Sequence, residues 1–147
     1  MRKLQSSIQP VKAGIGNGSD REIVVLHTHA KGTASALRMA ASLGNGLYSR
    51  IRLIALRVVP FPLALNTPPV SASFTERAVA RLAEDFPEVQ RIDVLNCREE
   101  ADALCCALHP VSIVLLGPPK HWWNRREARL SKALIRMGHT VLSPRQA

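Results

Sequence analysis

The sequence predicts a single α/β domain built on a parallel β-sheet. Short apolar runs of strand length alternate along the chain with segments of helical periodicity, and this alternation is typical of a parallel sheet covered on both faces. The 147 residues fit one domain, and the 46% hydrophobic content is ordinary for a globular protein. No apolar run approaches the ~20 residues that a transmembrane helix needs. We therefore expect five strands alternating with four helices.

The first 20 residues differ in composition from the rest of the chain. They are basic, contain Gly16-Asn17-Gly18 and show little periodicity. We expect a flexible basic tail over residues 1–20 and the α/β domain over residues 21–147. Because no apolar segment follows Met1-Arg2-Lys3, we expect no secretory signal. A cytoplasmic protein is expected.

The first part of the domain predicts a strand, a helix and a second strand. The run Ile23–Leu26 has the length and the apolar character of a buried strand. Thr33–Leu43 carries its apolar residues on one helical stripe, and Gly44-Asn45-Gly46 is expected to end that helix. Ile51–Val59 first alternates and then runs apolar, which predicts the second strand.

A proline-rich crossover over residues 60–73 separates this part from the remaining elements. Ser73 and Glu76 form a capping box that starts a second helix, and Pro87 ends it. The elements that follow are a strand over Ile92–Cys97, a helix over Glu99–His109, a strand over Val111–Leu116, a helix over Arg125–Gly138 and a strand over Thr140–Leu142.

The chain resembles the universal stress protein family over residues 22–142. The resemblance rests on the opening strand Ile23-Val24-Val25, the small-residue helix around Ala36–Ala40, the proline-rich crossover, and the strand and turn Ile113–Gly117. It implies a single doubly wound domain with a five-stranded parallel sheet of order 3-2-1-4-5. It also implies a role in stress response and a homodimer, which family members often form through the last strand.

ATP-binding members of that family carry a loop after strand four that reads glycine, two residues, glycine, nine residues, glycine and serine or threonine. Gly117 takes the first place of this motif and Ser131 the last, whereas Lys120 and Leu130 stand where the family has glycine. The family's acidic residue after strand one falls on Thr28. Lysine and leucine poorly reach the glycine conformations that close amides on phosphate. We expect a degenerate loop without a bound cofactor; a vestigial ATP-binding switch is the alternative.

A second candidate site is basic. The net charge is +9, and the segment from residue 120 to residue 136 holds six basic residues against Glu127 alone. Such a segment attracts polyanions, including RNA, DNA and anionic lipid. It is also typical of a solvated helix face. The candidate residues are Lys120, Trp122, Arg125, Arg126 and Arg129.

The adjacent tryptophans of this segment allow three interpretations. Trp122 and Trp123 are packing residues that seal an empty crevice, a platform for stacking bases, or residues at a membrane interface. Asn124 with Glu127 predicts a cap for the last helix, and Trp123 then has the position whose side chain packs onto the first helical turn.

Three histidines could meet where strands one and four lie side by side. His27 and His29 end the first strand, and His121 follows the fourth. Three imidazoles are able to hold Zn²⁺, but the spacing is a weak signal, and we expect no metal.

The sequence contains no Gly-x-Ser-x-Gly elbow, no paired carboxylates at a strand end and no Walker loop. We therefore expect a non-enzymatic binding or regulatory module. The three cysteines are expected to be buried, reduced thiols; they are Cys97, Cys105 and Cys106.

Overall fold

The computed structural model describes residues 22–47, 50–61, 63–66, 72–121, 123 and 125–144. Five parallel strands form one sheet in the order β3-β2-β1-β4-β5, which confirms the predicted fold and strand order. The predicted tail over residues 1–20 lies outside the described residues. The strands are β1 Glu22–His27, β2 Arg50–Val58, β3 Val89–Cys97, β4 Ile113–Leu116 and β5 Thr140–Leu142.

Four helices connect the strands, and none in the described ranges has both the length and the apolar character needed to cross a bilayer. The helices are α1 Ala30–Leu47, α2 Ala72–Glu84, α3 Glu100–Ala107 and α4 Arg126–Arg136. Several predicted boundaries are wrong. Helix α1 begins at Ala30 rather than at Thr33, and β3 begins at Val89 rather than at Ile92. Helix α1 continues through Gly44-Asn45-Gly46, and α2 begins before Ser73, which therefore lies inside the first turn.

The extension of α1 shows packing overriding local propensity. A glycine inside a helix costs roughly 1 kcal/mol relative to alanine. Gly44, however, is buried, and Leu43, just before it, packs against the core. Burial of apolar surface around Leu43 and Gly44 offsets the backbone penalty.

The core has two layers, one on each face of the sheet. Because β1 and β4 are buried on both faces, they are nearly continuous apolar runs. One layer lies between the sheet and helices α1 and α2, and includes Ile23, Val25, Leu53, Ala55, Leu37 and Val79. The other lies between the sheet and helices α3 and α4, and includes Val24, Leu26, Ile54, Leu104, Leu116 and Leu134.

The prediction of buried thiols is right for one cysteine and wrong for two. All three are free thiols, but only Cys97 is buried, whereas Cys105 and Cys106 are exposed. Helix α3 is short and turns Leu104 into the core, with Leu108 following one turn later. Each helical residue is rotated by about 100° from the one before it, so positions 105 and 106 lie away from that contact.

A buried ion cluster joins the amino-terminal halves of β2 and β3. Arg52 Nε donates to an Asp93 carboxylate oxygen at 2.5 Å, and Arg52 Nη1 donates to the Ala107 carbonyl at 2.8 Å. Arg52 and Asp93 are 4% and 3% exposed. Arg91, which is half exposed, donates to the other oxygen of Asp93. The cluster lies at the end of the sheet opposite the predicted ligand site, so its role is structural.

Candidate functional site

The turn from β1 into α1 is closed by its own side chains. The Gly32 N–H donates to His29 Nδ1 at 3.2 Å, and the Thr28 N–H donates to Thr33 Oγ1 at 3.2 Å. Thr33 Oγ1 also lies 3.2 Å from His27 Nδ1, and Thr33 is fully buried. Backbone amides at this position are the groups that bind phosphate in related architectures. Two of them are engaged by this chain itself.

His29 joins this turn to the loop after β4. Its Nδ1 accepts the Gly32 N–H, so the ring proton is on Nε2, which donates to the Pro118 carbonyl at 2.8 Å. Both ring nitrogens are therefore occupied within the protein. His29 acts as a clamp between the β1–α1 turn and the β4–α4 loop.

Gly117 and Gly32 are in direct backbone contact behind this clamp. A Cβ placed on Gly117 would lie 2.2 Å from the Gly32 carbonyl oxygen, and one on Gly32 would lie 2.9 Å from the Pro118 carbonyl oxygen. The first glycine of the family motif thus serves here to let the β4–α4 loop rest on the start of α1. The crevice between β1 and β4 is filled by backbone at this point.

The other residues of the predicted nucleotide loop do not come together around a phosphate site. Leu130 and Ser131 lie inside α4, more than one turn after its first residue, and Leu130 is part of the core. Ser131 is therefore away from the helix amides that would face phosphate. Lys120 is exposed on the loop. The hydroxyl of Thr28 is buried without a hydrogen-bond partner.

The basic segment presents a one-sided charge pattern. Arg125, Arg129, Lys132 and Arg136 are all exposed, as is Lys120. Glu127, the single acidic residue of α4, is only 6% exposed. Four of these cations, Arg125, Arg129, Lys132 and Arg136, lie on α4 or at its N-cap, and we call them the basic face of α4.

Arg126 does not belong to that face, contrary to the prediction. Its Nη2 donates to Glu100 Oε2 at 2.6 Å, and its Nε lies 3.1 Å from the same oxygen. The pair joins α3 to α4 and is only partly exposed. Its charge is therefore neutralised at short range. Local sequence could not predict this pair, because the two residues are 26 positions apart in the chain.

The aromatic pair is only partly described, since Trp122 and Asn124 lie outside the described residues. Trp123 is 62% exposed, so the interpretation of this residue as a buried seal is wrong. Its ring stacks on His121 with centroids 4.5 Å apart and planes 1° from parallel. The stacked pair lies on the same loop as Lys120, next to the basic face of α4.

The three candidate metal ligands do not converge. His29 is engaged with Gly32 and Pro118, His27 lies against Thr33, and His121 stacks on Trp123. In the part of the chain that the structure describes, no group of three His, Cys, Asp or Glu residues could hold a metal ion. Burial lowers the pKa of His27 from its ordinary value, and the nearby charge of Arg126 adds to the effect.

Sequence reasoning missed two polar residues at the carboxyl ends of β2 and β3. Arg57 is 9% exposed, and its Nε and Nη1 have no hydrogen-bond partner. Asn96 Oδ1 on the neighbouring strand is also buried and unpartnered. The available signal was an arginine inside the apolar run Leu53–Val59.

No protein-family model matches the chain, and a search of curated proteins finds no match either. Among solved structures, a crystallised macrolide-efflux protein from Streptococcus pneumoniae is similar, with a TM-score of 0.48 and 14% sequence identity. The similarity covers 88% of this chain and 54% of that one, so the chain spans about half the length of that structure. The protein class is defined by the sheet itself: a doubly wound parallel α/β domain.

Proposed function

We propose that this chain is a non-enzymatic binding module, a degenerate relative of the universal stress proteins, whose basic face of α4 binds a polyanion. The observation that supports this proposal is that no carboxylate of the described residues on α4 is exposed beside these cations. Glu127 is buried, and Glu100 is engaged by Arg126. The exposed side of α4 consequently carries positive charge along its whole length.

The spacing of the charges suits a phosphate backbone. Arg125 and Arg136 are about 16 Å apart along the helix axis at 1.5 Å per residue, with Arg129 and Lys132 between them on the same stripe. Cations arranged in this way neutralise successive phosphates and release counterions. The sequence of the nucleic acid plays no part in such contacts.

The stacked His121–Trp123 pair favours a single-stranded nucleic acid over an anionic membrane. An exposed, planar aromatic pair beside cations is a platform on which an unpaired base can stack. A membrane interface would favour an apolar helix face, whereas the exposed stripe of α4 has only Ala128 and Ile135 between its charges.

Filter binding of a labelled single-stranded RNA across a salt series tests the proposal. We expect affinity to fall steeply with salt and the double variant R125E/R129E to abolish binding. R77E/R81E is the matched control, because Arg77 and Arg81 are exposed and four apart on α2. An equal loss of RNA binding in both double variants would show that binding depends only on the net charge of the protein. Binding of anionic vesicles in preference to RNA would contradict the nucleic-acid assignment.

The proposal includes a cytoplasmic homodimer. β5 lies at the edge of the described sheet, beside β4, and an unpaired edge is a template for a second copy. Three free cysteines suit a reducing compartment. Light scattering on the eluting protein should give twice the 16.1 kDa chain mass, and a monomeric mass across micromolar concentrations would exclude the dimer.

A further inference from the structure

Arg57 is a buried cation whose charge is not balanced by the described residues. Its guanidinium forms no ion pair with any acidic residue of the described ranges. The sequence after Arg57 contains no Asp or Glu before Glu76, so the β2–α2 connection supplies no counter-charge either. Burying an unpaired charge is costly. A residue kept at such a cost is a candidate for binding an anion from outside the chain.

Asn96 lies beside Arg57 and offers the complementary group. The two residues are register partners on β3 and β2, so their side chains share one face of the sheet. That face is the one covered by α1 and α2, because Ala55, two residues before Arg57, belongs to the core there. Asn96 Nδ2 donates to the Leu65 carbonyl at 2.7 Å, which fixes the orientation of the amide. Oδ1 is then a true acceptor without a donor.

The other cation at this edge is already engaged. Arg98 Nη1 donates to the Val59 carbonyl at 2.8 Å, and its guanidinium lies 4.1 Å from the centroid of the Phe61 ring. Arg98 thus binds the start of the β2–α2 connection. The Nε and Nη1 donors of Arg57, in contrast, have no hydrogen-bond partner. Both Arg57 and Asn96 lie one residue before the carboxyl ends of their strands.

We propose that Arg57 and Asn96 bind a small 2-hydroxy carboxylate. The guanidinium fork matches the two oxygens of a carboxylate, and Asn96 Oδ1 accepts the hydrogen of the adjacent hydroxyl. The carboxylate balances the buried charge, and the hydroxyl satisfies the buried acceptor. This site is separate from the basic face of α4, which belongs to a helix on the opposite side of the sheet.

Calorimetry and thermal unfolding of the full chain with glycolate and with acetate test this site. Glycolate should raise the melting temperature and bind more tightly than acetate, because acetate has no hydroxyl. R57M should weaken glycolate binding at least about tenfold. Without ligand, R57M should melt no lower than the wild type, because the unpaired charge is gone. N96L should bind acetate as before and lose the preference for glycolate.

The controls separate this site from a structural role and from the proposed function. R81M removes an exposed arginine from α2 and should leave glycolate binding unchanged, as should R125E/R129E. An R57M protein that does not fold, or that melts well below R81M, would show that Arg57 is structural and would overturn the proposal. So would glycolate binding that is absent in the wild type or unaffected in R57M. None of these results bears on RNA binding.

Discussion

Gly117 and Gly32 touch through their backbones, with a Cβ on Gly117 falling 2.2 Å from the Gly32 carbonyl oxygen. One glycine follows β4 and the other lies in the first turn of α1. Their contact, together with the His29–Pro118 hydrogen bond, places the β4–α4 loop against the α1 turn. Gly117, which matches the first glycine of the phosphate-binding loop motif, is needed here for close packing.

G117A should therefore be strongly destabilising. The atoms that its methyl group meets are backbone atoms of Gly32, which cannot rotate away. Overpacking of this kind costs about 1–3 kcal/mol or more, measured as a fall in the free energy of urea unfolding. G138A is the comparison, because a Cβ there meets nothing within 4 Å and the strain is limited to a φ of +93°, worth roughly 1–2 kcal/mol. If G117A lowered the free energy of unfolding by no more than G138A does, the close contact between Gly117 and Gly32 would be contradicted.

Mg-ATP should bind weakly or not at all, and restoring the family's glycines should not rescue it. In K120G/L130G the second change removes a core side chain and adds a glycine to α4. That large-to-small change costs about 2–5 kcal/mol, while the amides of Thr28 and Gly32 stay engaged. Calorimetry on the wild type and on K120G alone decides the matter. Low-micromolar affinity in either protein would refute this prediction.

The stability of the fold should fall as the pH drops below about 6.5. Burial lowers the pKa of His139 and of His27 from the ordinary histidine value of 6.5, so the unfolded chain takes up protons first. Their neutral forms thus contribute full stability above pH 6.5 and lose it as the pH falls toward the lowered values. Urea midpoints between pH 5 and pH 8 measure this trend.

The variant H139Q isolates one of these two contributions. His139 Nδ1 accepts the Ser112 N–H at 3.0 Å, and a protonated ring could not accept it. H139Q should lower stability at neutral pH and flatten the acid side of the profile. An acid slope identical to that of the wild type would show that His139 does not contribute to it.

Within the buried ion cluster, D93A should be far more damaging than R91Q. Removing Asp93 leaves the Arg52 guanidinium buried with one side-chain partner fewer, since Glu22 is 3.5 Å from it. Breaking a buried pair in this way costs about 3–5 kcal/mol. The Arg91 side chain is 49% exposed, so R91Q should cost less than about 1 kcal/mol. Equal unfolding free energies for the two variants would contradict this account.

The sequence by itself determined the fold class, because strands and helices differ in the period of their apolar residues. Runs such as Ile23–Leu26 and Ile113–Leu116 are typical of strands buried on both faces, and their alternation with helices indicates a covered parallel sheet. The strand order came from the family resemblance, and the sheet confirms it. The sequence also predicted exposed charged positions on the last helix and the loop before it, such as Arg125 and Arg129.

The tertiary structure alone decided which of these groups remain available. Arg126 is neutralised by Glu100 from another helix, and His29 is clamped to Pro118, which lies 89 positions later in the chain. Arg57 looked like one basic residue among twenty until its strand neighbours and its burial were known. Helical and strand periods arise from contacts a few residues apart, whereas charge pairing, tautomer and desolvation depend on groups brought together across the sheet.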